Sequence, residues 1–411
     1  MRHIIILTFC CFLGSCAYLD GIFLEDTPDS AGTSPYSEDN STADQSKQVQ
    51  VKVIRDQDFS NSIQALTPIE VFIAGAARMP IFRAADLTHS ELYSFEYQNK
   101  FHLISVSTAG HVLYWSPQNS WKKAVQVVDI QEGFTALAFS PSSFLLAASY
   151  PDRTLIYDLS ESKQVYSMTR LRTRVVSMDF NPAGQSLLMA GADGVIYHWQ
   201  FVLESRARGI ADQEKVIERY IGHSTVVNTV RFHPFGRTFI STDWGGVLNA
   251  WLLYSADRYD GRFDSNIFAG RFFTESVNRV RGARTADSIV EQVRFSKDGQ
   301  FFYTADESGN MEIWQVRGFK RVASIAAHDG KIQDFCLAPG EEVVFTIGRD
   351  GKLKKWQIKR IEKRLSYLYE YELELLHELP SSNAERISCL SDNAVISTGA
   401  GGRLIFKDLR R

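Results

Sequence analysis

The chain has 411 residues, 44% of them hydrophobic and 23% charged, with a formal net charge of −3. That is enough apolar material for a large folded body, and the near balance of charge excludes the general basic bias of a nucleic-acid binder. Aromatic residues make up 12% of the chain, which suits a strand-rich protein.

In chain order, the first elements lie outside that body. Arg2 precedes an apolar run from Ile4 to Leu13. The run is about half as long as a bilayer-spanning helix, so a cleaved export signal is expected in place of a span. It leads into Leu13-Gly14-Ser15-Cys16, which resembles the bacterial lipobox. The resemblance implies a signal peptide over 1–15, lipidation of Cys16, and a membrane anchor worth about 0.8 kcal/mol per buried methylene. With Ala17 next, it further implies an outer-membrane location facing the periplasm. Residues 16–48 read as the lipidated Cys and a flexible linker, because Ser, Thr, Asp and Pro dominate and no apolar periodicity appears.

The folded body is expected over 49–411. Gly222 to Trp251 shows its unit: Gly-His, then three short alternating apolar runs separated by His233-Pro234-Phe235-Gly236 and by Gly245-Gly246. Period-two runs between turns predict antiparallel strands. The unit recurs, ending at Trp115, Tyr157, Trp199, Trp251, Trp314, Trp356 and Lys407. The shortest spacing between these positions is 42, and longer spacings mark insertions. A period of about 40–45 residues is that of a four-stranded propeller blade. The expected fold is therefore all-β, a seven-bladed β-propeller of four-stranded antiparallel sheets.

Over roughly 85–411 the pattern resembles the WD-repeat family, carried by Gly222-His223, Phe-x-Pro-x-Gly at 232–236, Asp193-Gly194 and Asp350-Gly351. The resemblance implies a buried hydrogen-bonded set in each blade, built from a His before the first strand, a strand Ser/Thr, a turn Asp and the third-strand Trp. The sixth repeat carries all four as His328, Thr346, Asp350 and Trp356. The fourth has His223, Ser241 and Trp251, with Gly245 in place of the Asp.

The last repeat ends at its third strand, so an N-terminal segment is expected to supply the fourth. Val49–Ile54 and Ile69–Ile73 are the candidates, the second favoured by proximity. Cys336 and Cys389 each fall in a first strand and read as two small buried apolar residues in preference to a disulfide. The insertion after Trp251 carries Arg258, Arg262, Arg271, Phe272, Phe273, Arg279 and Arg281. Arg and aromatics suit a partner-binding loop, while Asp257, Asp260, Asp264 and Glu275 equally suit a self-packed one. After Lys352, a basic run and then an acidic run, Tyr369 to Leu379, read as two outer strands pairing opposite charges.

No phosphate loop, Gly-x-Ser-x-Gly or zinc-type His pair occurs, so no catalytic residue, cofactor or metal is expected. The sequence reads as a lipid-anchored bacterial envelope scaffold for protein partners, binding no nucleic acid. Its alternatives are a channel enzyme acting on an envelope sugar or lactone, and an outer-membrane assembly accessory lipoprotein. Deleting 49–75 is expected to lower the melting temperature far more than deleting 17–45; equal melting temperatures would refute N-terminal closure.

Overall fold

In the computed structural model the described residues are 81–83, 89–116, 123–169, 171–201, 217–253, 279–284, 288–362, 369–381, 383–399 and 403–410. All fall within the unit Ile63–Arg411. They form seven antiparallel sheets, and the expected seven-bladed propeller is the fold. The first strands of the blades are His89–Tyr97, Ala136–Ser140, Val175–Phe180, Val227–Phe232, Val290–Phe295, Ile332–Leu337 and Ile387–Ser391. Neighbouring first strands lie side by side, which makes them the inner wall. In five of the blades this strand carries a bulge near its start, as between Val227 and Thr229. A bulge sharpens local twist where the sheet turns away from the axis.

The apolar core lies between the blades. Seven buried clusters occur, and each straddles one pair of neighbours, from Phe95 and Ile104 against Phe144 and Leu146 round to Leu390 and Ile396 against Leu103 and Trp115. The third-strand marker always faces the preceding blade. Trp199 packs on blade 2, Trp251 on blade 3, Trp314 on blade 4 and Trp356 on blade 5. In blades 4 and 5 the Trp stacks on its cross-strand Phe, with ring centroids 5.9 Å apart for Phe239–Trp251 and 5.8 Å for Phe302–Trp314. Lys407 holds the same place in blade 7 and donates from Nζ to the Pro380 carbonyl of blade 6.

Six described blades have four or more strands and the seventh has three, ending on Leu404–Asp408. Ile81–Arg83 pairs with Lys123–Asp129, giving blade 1 a fifth, outermost strand. The two candidates for the missing strand, 49–54 and 69–73, lie outside the described residues. Blade 7 still meets blade 1 through the Leu390 cluster and through Arg386, whose Nη2 donates to Glu91 Oε1 at 2.8 Å.

The long hairpin of blade 6 pairs Lys352–Glu362 with Tyr369–Pro380. Lys352 Nζ lies 2.7 Å from Glu378, and Lys359 pairs with Glu374. The basic and acidic runs thus neutralise each other across the ladder. The reading of the two cysteines as unbonded is corrected: Cys336 and Cys389 form a disulfide between the first strands of blades 6 and 7. The two first strands run side by side at this joint and bring the Cα atoms of the two cysteines to 5.7 Å. Two cysteines 53 residues apart in sequence show no local spacing signal, and burial alone had favoured a thiol. A crosslink closing a loop of that length stabilises by about 4 kcal/mol in the chain-entropy account. Cys336→Ala is expected to lose about that much in urea unfolding monitored by tryptophan fluorescence, and a reductant should then shift the wild type but not the variant.

Candidate functional site

Two arrangements of polar side chains stand out, one inside the blades and one along the central channel. In blade 6, His328 Nδ1 lies 2.9 Å from Asp350 Oδ1 and Nε2 lies 2.7 Å from Thr346 Oγ1, to which Trp356 Nε1 donates at 3.0 Å. The direction of these bonds follows from chemistry. An indole N–H can only donate, so the hydroxyl accepts from Trp356 and passes its own proton to Nε2. Nδ1–H then donates to the carboxylate, and the imidazole is neutral. Burial holds His328 below its ordinary value even though Asp350 pulls the other way.

Blade 4 has the same relay. His223 Nε2 lies 2.6 Å from Ser241 Oγ, which accepts from Trp251 Nε1 at 2.6 Å, and Nδ1 lies 2.8 Å from Asp243 Oδ2. The expectation that Gly245 leaves this blade without an acid is corrected, because Asp243 supplies it from the other end of the turn. Blade 6 reads Gly348-Arg349-Asp350 and blade 4 reads Asp243-Trp244-Gly245. Either end can present a carboxylate to the His. In blade 6 the other end must stay small, since a Cβ on Gly348 would lie 2.3 Å from His328 Nδ1. Blade 1 keeps Trp115 Nε1 donating to Ser105 at 2.7 Å. Its buried His89 packs edge-on against Trp115, 5.7 Å between centroids, with neither ring nitrogen hydrogen-bonded.

These relays fix one face of the ring. The turns between second and third strands and the crossovers between blades share that face. The Trp244 N–H donates to the Val226 carbonyl at 3.1 Å, tying the blade-4 turn to the crossover 222–226. Trp244 is 55% exposed and Ile221, at the other end of the crossover, is 68% exposed. Phe235 is also exposed, on the opposite face.

The channel wall is two-sided. Tyr93 of blade 1 packs on Phe139 of blade 2 at 5.8 Å, beside Leu137, an apolar side. Across blades 3 to 7 the wall is charged. Asp179 Oδ2 accepts from the Phe232 N–H of the next blade at 2.7 Å, and Asp334 Oδ2 accepts from the Ile387 N–H at 3.1 Å. Arg294 Nη2 donates to Asp334 Oδ1 at 3.0 Å. Burial pushes Asp179 up to about 6 despite Arg231 and Arg294 nearby. Sequence reading missed this belt because isolated charged residues, contributed singly by successive blades, make no local pattern.

Of the expected partner-binding residues, Arg258, Arg262, Arg271, Phe272 and Phe273 lie outside the described residues, as does Cys16. Arg279 and Arg281 belong to Arg279–Arg284, the outer strand of blade 4, where they pair with Trp251 and Ala250. They are therefore ladder residues and not part of a loop. Among the described residues no three His, Cys, Asp or Glu side chains gather as a metal site would require.

Residues 162–200 and 214–251 match the family model "WD domain, G-beta repeat". The chain is 23% identical over 201 residues to Protein hir1 of Schizosaccharomyces pombe, covering 47% of this chain and 21% of that protein. It is 20% identical over 252 residues to Telomerase protein component 1 of Rattus norvegicus, covering 61% and 8%. It is 21% identical over 281 residues to the Target of rapamycin complex subunit wat1 of Schizosaccharomyces pombe, covering 65% and 79%. The match thus spans less than a quarter of the first two relatives' length. A chain in the crystal structure of the Mitotic Checkpoint Complex superposes with a TM-score of 0.57 at 15% identity, over 81% of this chain and 91% of that one, a likeness of fold.

These relatives are eukaryotic, from fission yeast and rat, and they overturn the bacterial reading. With it go the signal peptide and lipidated Cys16, the membrane anchor, the outer-membrane location, and both the envelope-enzyme and assembly-lipoprotein alternatives. The physical reason is that ten apolar residues before Gly-Ser-Cys make too short a pattern to carry that much. The WD-like repeat, spread over hundreds of residues, is shared with eukaryotic chains. The expectation that the chain is not an enzyme agrees with relatives named as a protein component and a complex subunit, and propellers of this kind serve protein–protein interaction.

The buried histidines set a pH dependence. Burial holds His89 down to about 4 from 6.5 and lowers His102, His233 and His328 as well. Each binds a proton more readily in the unfolded chain, so stability is lost as pH falls below 6.5. Asp179, raised from 3.8 to about 6, works oppositely, regaining stability as pH falls from 6. With four groups against one, the urea midpoint is expected to drop between pH 6.5 and 4, and His89→Leu should flatten that profile.

Proposed function

We propose that the chain is a rigid protein-interaction platform whose contact surface is the ring face bearing the blade-4 turn. The observation that carries this reading is the pair Trp244 and Ile221, both exposed, where the blade-4 turn is tied to the crossover 222–226 over the buried His223–Asp243–Ser241–Trp251 relay. An aromatic side chain held out on fixed backbone binds without a large ordering cost. The same turn in the neighbouring blade 5 presents the exposed Glu307, a polar group beside the apolar anchor. Relatives named as a complex subunit and a protein component accord with an assembling role. Arg258, Arg262, Arg271, Phe272 and Phe273, in the insertion that follows the other end of the strand Val247–Leu252, are proposed as partner contacts separate from this face.

The test is purification of the tagged chain from its own cells, wild type against Trp244→Ala. A stoichiometric partner is expected with the wild type and lost with the variant, with no change in melting temperature. The same partner retained at full occupancy would exclude this face as the contact surface.

A further inference from the structure

We propose that the outer edge of blade 6, over residues 369–375, is a docking site for an extended segment of a partner protein in which apolar and basic residues alternate, added as a further strand of the sheet. The strand Tyr369–Pro380 is 12 residues long, while the outermost strands of blades 2 to 5 have 5 to 7. It stands last in its sheet, so its outer N–H and C=O groups pair with no strand among the described residues. On its inner side the register runs unbroken from Glu362–Tyr369 to Trp356–Leu375, and the irregularity comes only after Leu375. A regular stretch of that length is a template for one more strand.

The two faces of this edge set the chemistry of its partner. Period two puts Tyr371, Leu373 and Leu375 on one face, where Leu373 is buried against blade 5 and Tyr371 lies edge-on to Phe301, with ring centroids 5.0 Å apart. Leu375 continues that apolar row but stays 44% exposed. Glu372 and Glu374 alternate with these residues on the opposite face, and both are exposed. Lys359 of the inner neighbour pairs with Glu374, while Glu372 makes no ion pair among the described residues. A strand laid along the edge therefore meets apolar side chains on one face and carboxylates on the other. Favourable cross-strand pairs form on both faces when its Lys or Arg residues alternate with apolar ones. A second copy of the same edge fits badly. Two antiparallel copies related by a two-fold axis keep like faces together, which lays one Glu row against the other. Residues 369–375 contain no Lys, Arg or Pro. Lys and Pro are what natural edges use against pairing in general, whereas an acidic row still admits a basic strand.

The experiment is fluorescence anisotropy of the full chain with a labelled peptide of alternating valine and lysine. Two control peptides accompany it, one of the same composition with every lysine at one end, the other the alternating peptide N-methylated at each backbone amide. Binding is expected for the unmodified alternating peptide and neither control. Glu372→Gln should weaken it about threefold, within the range of one cross-strand charge pair, and Leu375→Lys at least as much. Both side chains are exposed, so the melting temperature should not move. No binding, equal binding of either control peptide, or binding unchanged in both variants overturns the proposal. A concentration-dependent dimer in sedimentation of the chain alone, lost in Leu375→Lys, would seat a second copy on the edge and overturn it as well. The site does not rest on the interaction-platform reading. Trp244→Ala should leave the peptide bound, and neither test decides the other.

Discussion

A sheet such as that from Val290 to Ala326 is apolar on both faces and cannot cover either by itself. Every buried cluster in this protein answers that constraint in the same way, by crossing from one blade to the next. Val293 and Phe302 face Ile240 and Leu248 on one side, while Tyr303 and Ile313 face Phe335 and Trp356 on the other. Stability is therefore a property of the closed circle, and each blade is held only as well as its two neighbours hold it. A buried Trp or Phe contributes about 1.5–3 kcal/mol by its area alone, and the repeat places such a residue at most of the interfaces.

Blade 7 is the place where this scheme is thinnest. It has three described strands and a Lys where the others have Trp, Tyr or an equivalent aromatic. The structure compensates with bonds of other kinds. Cys336–Cys389 ties it to blade 6, Lys407 reaches the Pro380 carbonyl, and Arg386 bridges to Glu91 of blade 1. Covalent and ionic links thus join blade 7 to both of its neighbours.

The His relays and the channel belt divide the polar residues by purpose. In the relays every polar group is consumed: Trp donates to the hydroxyl, the hydroxyl to His, and His to the carboxylate. Such a closed set locks a turn and has nothing left to offer a ligand. The belt is different, because Arg294 Nε is buried there without a hydrogen-bond partner among the described residues. A rigid frame with spent interior hydrogen bonds and unspent ones at the axis and on one face is suited to recognition, and its exposed anchor, Trp244, sits directly above a spent relay.

The amino-acid sequence determined the number of blades, the strand pattern and the place of each Trp, because period-two runs, turn residues and a recurring spacing are local signals that survive divergence. The relay of blade 6 was legible for the same reason, while that of blade 4 was misread, since the acid had moved two positions along the turn from Gly245 to Asp243 and only three-dimensional proximity shows that both places serve. The disulfide and the channel belt belonged wholly to the tertiary structure. Residues 53 or more apart meet there by ring geometry, and one Cys or one Arg per inner strand leaves no trace in any window of sequence. The opening residues misled for the converse reason: a short local motif was legible, but it is far shorter than the repeat that the eukaryotic relatives share.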